Sequence, residues 1–90
     1  MANFLMYHTS YSTLAQDIKN LIAGYNAKEI SEKQLQEVVL GWSDACPNFL
    51  FDTEDGKKKE PLAISPGLLR HIGKKRGVVI FKAYEDARTQ

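Results

Sequence analysis

"SPGLLRHIGKKRGVVIFKAYEDA", residues 65–87, decides what kind of fold the chain makes. Ser65 followed by Pro66 is a helix start, with serine at the N-cap and proline at the first helical position, where its missing N–H costs nothing. Beyond it Leu68, Leu69, Ile72, Val79, Ile80, Ala83, Tyr84 and Ala87 keep to one helical stripe. Residues 77–81, "GVVIF", read equally well as a strand when taken alone, and it is the length of the pattern that favours a helix. On one continuous helix Arg76 falls inside the apolar stripe, a costly position unless its charge is paired or its stem reaches water. If the helix ends at Gly73 and restarts near Lys75, Arg76 leaves the core, and Gly73 suits the left-handed position that follows a helix end. Three readings stay open here: one helix over 66–87, a helix-turn-helix-like pair with its corner at Gly73, or a segment that is partly strand.

Upstream, the same periodicity predicts two more helices. Thr13 and Gln16 form a candidate capping box ahead of Leu14, Ile18, Leu21, Ile22 and Tyr25, which predicts a helix over about 13–25. Ser31 and Gln34 form a second box, Ile30 and Leu35 a hydrophobic staple, and Leu35, Val38, Val39 and Trp42 one apolar face, until Pro47 stops a helix over about 31–46. The short "NAKEI" connection predicts that the two pack as an antiparallel hairpin, with Ile18, Leu21 and Ile22 facing Val38, Val39 and Trp42. A charged loop over 52–61, centred on Asp55 and Gly56, separates this hairpin from the C-terminal unit. "FLF" (49–51) and "PLAI" (61–64) flank it as candidates for a small β-hairpin, with Pro61 confining the second to an edge. The expected architecture is one all-α domain over 1–90, an N-terminal helical hairpin followed by a C-terminal helix or helix pair.

Composition agrees with a folded domain: of 90 residues, 43% are hydrophobic and 26% charged. A chain this short buries only about 60–65% of the surface it exposes when unfolded. Phe4, Leu5, Phe49, Phe51 and Phe81 lie outside the two clear helices and are candidates for an exposed interaction surface. Cys46 is the sole cysteine, so no disulfide forms within the chain, and the expected compartment is the reducing cytoplasm. No apolar run reaches the ~20 residues of a membrane span.

The net charge of +1 conceals an asymmetry. Residues 1–45 carry three bases and five acids, residues 46–90 nine bases and six acids. The densest cations are Arg70, Lys74, Lys75 and Arg76, which are the candidate anion- or partner-binding residues. A glycine corner between two helices is similar to a helix-turn-helix, but the second helix offers Val78, Ile80 and Phe81 in place of donors for base edges. The element Arg70-x-x-Gly73-Lys74-Lys75-Arg76 before a final helix resembles a group of short uncharacterised bacterial proteins of about this length, many from Gram-positive bacteria. That resemblance implies a helical fold and brings no known activity; the "FDTEDGKKKEP" stretch departs from the group's pattern.

Catalytic chemistry finds little footing. His8, His71 and Cys46 are far apart in sequence, with His8 reading as a tail residue, His71 as a neighbour of the lysines and Cys46 as a small core residue. No paired Cys or His spacing suits zinc. "DTEDG" fails as a calcium loop because position 12 from Asp52 is Ala63. "GLLRHIGKK" has five residues between its glycines and Lys75 where a phosphate loop needs Ser or Thr. The chain is therefore expected to be a non-enzymatic protein without cofactor, metal or membrane association, acting as a protein-interaction or self-associating module. A homodimer would use the acidic Glu29, Glu32, Glu37 and Asp44 of a second copy as complement to the basic stretch. The alternative is a nucleic-acid-binding regulator that works through residues 70–76.

Overall fold

Ser10, not Thr13, caps the first helix in the computed structural model, which describes residues 4, 8–54, 57, 58 (backbone alone) and 62–89. α1 runs Tyr11–Asn26, with Thr13 N–H donating to Ser10 Oγ. Thr13 is thus the third helical residue, and its own hydroxyl engages Ser10 O and, at 3.0 Å, Nδ1 of His8. α2, Glu32–Ala45, begins with the expected reciprocal box between Ser31 and Gln34, and Ile30 and Leu35 are both buried beside it. Cys46 ends α2, and Pro47 opens a single turn, α3 (Pro47–Leu50), where its missing N–H is harmless.

The segment after α3 is shaped by its return partner. Asp52 N–H donates to Ala63 O and Ser65 N–H to Leu50 O, which sets Phe51 opposite Ile64 in an isolated antiparallel bridge. A two-residue ladder, β1 (Thr53–Glu54) with β2 (Lys57–Lys58), continues it. The expected pairing of 49–51 with 61–64 therefore shrinks to one bridge, because Phe49 and Leu50 belong to the helical turn. The Asp55–Gly56 turn, Lys59, Pro61 and Leu5 lie outside the described residues.

The C-terminal unit is two helices. α4 spans Pro66–Ile72 and α5 Lys74–Arg88, with Gly73 alone between them. Gly73 has φ +85° and ψ 160°. This is the extended mirror-image region that only glycine enters cheaply, rather than the compact left-handed helical conformation expected from sequence. The corner is also a close approach: Gly77 is buried one turn into α5, and a methyl group there would overlap the Leu69 side chain of α4.

The class is all-α, but the packing differs from a self-contained hairpin. α1 makes its most extensive contacts with α4, and α2 with α5; α1 and α2 touch each other less. Trp42, Phe51, Leu14, Leu68, Ile72 and Ile80 are wholly buried in one cluster drawn from every helix and the bridge. Phe51 is therefore a core residue, its ring edge-on to Tyr84 at 4.7 Å, and Phe4 and Phe49 are partly buried against the same core. Of the phenylalanines expected on an interaction surface, two border surface clefts: Phe4 beside Asn20, Ala23 and Gly24, and Phe81 beside Leu62 and Leu69.

His8 is likewise no tail residue. It is 3% exposed, its ring edge-on to Trp42 at 6.2 Å. Its Nε2 lies 3.2 Å from Asp17 Oδ2 but out of line for a hydrogen bond. The contact fastens the chain ahead of α1 to the helix face.

Candidate functional site

The helix ends at Gly73 explain part of the basic run. Arg70 and His71 occupy the last turn of α4, where carbonyls without helical partners favour positive charge. Arg76 reaches back across the corner, its Nη1 donating to Ile72 O at 3.0 Å, and so satisfies one of those carbonyls. His71 also stacks on Tyr11, ring centroids 6.5 Å apart, while the Tyr11 hydroxyl accepts from Ser65 Oγ at 3.0 Å. The buried Ser65 thus fixes α1 against α4 instead of capping its own helix.

Lys74 and Lys75 have no such explanation. They stand in the first turn of α5, where the N–H groups already concentrate positive potential and cations are disfavoured. Both are exposed, and among the described residues neither they nor Arg70 has an acidic partner.

The four candidate residues do not converge on one place. Lys74 borders an apolar groove of about 310 Å³ walled by Leu62, Ile64, Leu69, Gly77, Val78 and Phe81. Lys75 and Arg76 instead line a cleft of about 400 Å³ toward α1, with Lys19, Ile22, Ala23, Asn26 and Val79. Arg70 lies on the exposed side of α4 and lines neither. Successive residues of a helix point about 100° apart, so three adjacent cations at 74–76 are necessarily dispersed around α5.

The groove was not legible from charge. Val78, its ridge, is 60% exposed and is the large hydrophobic residue left open among those described. On its other side a second groove of about 220 Å³ includes Tyr25, Leu35 and Val79. Leu62, Leu69 and Phe81 are half-buried, packed against the core on one side and open to the groove on the other. The available signal was spacing: once α5 starts at Lys74, residues 74, 78, 81 and 85 fall on one stripe.

Cys46 and His8 are both buried beside the core. Desolvation pushes the Cys46 thiol above the ordinary range, partly opposed by the hydrogen bond the sulfur accepts from the His8 backbone N–H. Its neighbour His8 engages Thr13, Asp17 and Trp42 through its ring. Among the described residues no three of His, Cys, Asp and Glu gather as metal ligands, and no helix is long and apolar enough to cross a membrane. No protein-family model matches the chain, and neither a curated protein nor a solved structure matches it.

Proposed function

We propose that the chain is a non-enzymatic protein-interaction module whose docking face is the outer side of the α4–α5 corner. The observation that supports this is Val78, 60% exposed and continuous with the apolar groove formed by Leu62, Ile64, Leu69 and Phe81, so that the open apolar surface is a patch and not a lone side chain. Lys74 at the groove's edge adds a charge that the fold itself disfavours and an acidic residue on the partner would satisfy.

Nucleic acid is the second reading, supported by Arg70, Lys74 and Lys75, which are exposed and have no acidic partner among the described residues. It fares worse because phosphate binding gains from cations that converge, and Lys74 and Lys75 diverge around α5 while Arg70 stands on α4. A photo-crosslinking residue in place of Val78, introduced in the cells that make the protein, separates the two. Adducts with protein are expected from that position, and none when the same residue replaces Lys33 on the exposed side of α2. Adducts with nucleic acid alone, accompanied by steeply salt-dependent retention on duplex DNA that Lys74→Glu/Lys75→Glu abolishes, would replace this reading with the second.

A further inference from the structure

We infer that the partner on this face is a second copy of the chain, paired through antiparallel α5 helices; the inference rests on the docking-face reading and names its occupant. Positions 74, 78, 81 and 85 are spaced four, three and four residues apart, which on a helix confines them to a stripe about 60° wide, the geometry of a near-parallel helix seam. Along that stripe the chemistry runs cation, apolar, apolar, anion: Lys74, Val78, Phe81, Glu85. Reversed, the order is its own complement. A two-fold axis between positions 78 and 81 sets Lys74 against Glu85 of the second copy, twice, and Val78 against Phe81 of the second copy, twice.

Within one chain the two charges cannot meet, because the helix between them holds them about 16 Å apart. Neither has an ion-pair partner among the described residues. Pairing supplies one to each and relieves the misplaced lysine at the start of α5. The groove walls Leu62, Ile64 and Leu69 beside Val78 offer the recess that Phe81 of the second copy would fill. The arrangement is isologous and closes at two copies.

Sedimentation of the full chain across a wide concentration range tests the pairing. The wild type is expected to dimerise reversibly, and Lys74→Glu or Glu85→Lys alone to raise the dissociation constant roughly tenfold to a hundredfold, since each turns two attractive pairs repulsive. Mixing the two variants must restore association. In the mixed dimer the glutamate introduced at position 74 of one chain faces the lysine introduced at position 85 of the other, and the native Glu85 and Lys74 meet at the opposite end. The double swap in one chain must also associate, with both pairs reversed in sign. Circular dichroism melts of each variant show that the fold is retained; both positions face solvent at least in part. A mixture that associates no better than its components overturns the pairing, as does a wild type that stays monomeric throughout. In the latter case an adduct at position 78 with a different protein leaves the docking face standing and only its occupant wrong.

Discussion

Replacing Gly73 by alanine tests the feature on which the whole C-terminal unit turns, and its value lies in the sign. At φ +85° and ψ 160° an L-residue is strained by roughly 1–3 kcal/mol. A Cβ there meets nothing within 4 Å, so no clash adds to the backbone cost and no contact offsets it. If residues 66–87 formed one continuous helix, the same substitution would stabilise the protein by about 1 kcal/mol through helix propensity. For 90 residues the unfolding entropy near the midpoint is about 0.19 kcal/mol/K, so the corner predicts a fall in Tm of about 5–15 °C and the continuous helix a rise of about 5 °C. Urea unfolding followed by circular dichroism gives the free energy directly. D-alanine, whose preferences mirror those of the L-residue, should recover stability, and Cys46 is well placed for assembling that protein by chemical ligation. An alanine variant as stable as the wild type or more so refutes the corner.

Other expectations follow from single contacts. Gly77→Ala gains about 1 kcal/mol of helix propensity but must turn the end of Leu69 aside at about 0.5–1.5 kcal/mol, so it should be near neutral alone and clearly stabilising in a Leu69→Ala background; equal effects in both backgrounds would exclude the close approach. Tyr11→Phe strips Ser65 of its acceptor and should cost about 1 kcal/mol in urea unfolding, with no loss if the α1–α4 latch is immaterial. Because burial raises the Cys46 thiol, the unfolded chain ionises first as pH climbs; that part of stability is complete below the ordinary thiol pKa and is lost as pH rises toward the raised one. The wild type should therefore lose stability in mildly alkaline solution relative to Cys46→Ala, and a pH-independent difference between them would show the thiol is not shifted.

What could be read from the chain was local. Ser31, Gln34, Ile30 and Leu35 lie within six residues of one another, and their four signals agree, so the start of α2 emerges as expected. At α1 two caps compete, Ser10 and Thr13, and the choice goes to Ser10 while His8 bonds to Thr13 Oγ1. Periodicity gives no weight to a histidine outside the helix it decides. The fate of Phe51 is further from view still, since its burial depends on Ile64 returning beside it across the charged loop. The same holds for the helix pairings: which helix covers which depends on the direction in which the Gly73 corner sends α5, and one glycine dihedral is not written in a hydrophobic pattern.

The basic run is only partly legible for a related reason, because density along the chain is not density in space. Arg70, His71 and Arg76 cluster at the C-terminal end of α4, a place that welcomes positive charge whatever the protein does, so their presence argues for no ligand. The informative cations are the ones in the wrong place, Lys74 and Lys75 at the opening of α5. A residue type that works against its own helix needs something outside that helix to account for it, and for Lys74 the fold places that demand at the mouth of an apolar groove, about three turns from an acid on the same stripe. Charge and exposed apolar surface each have an ordinary explanation when taken separately. Their alternation along one face of α5, in an order that inversion maps onto itself, is what makes a second copy a better account than a polyanion.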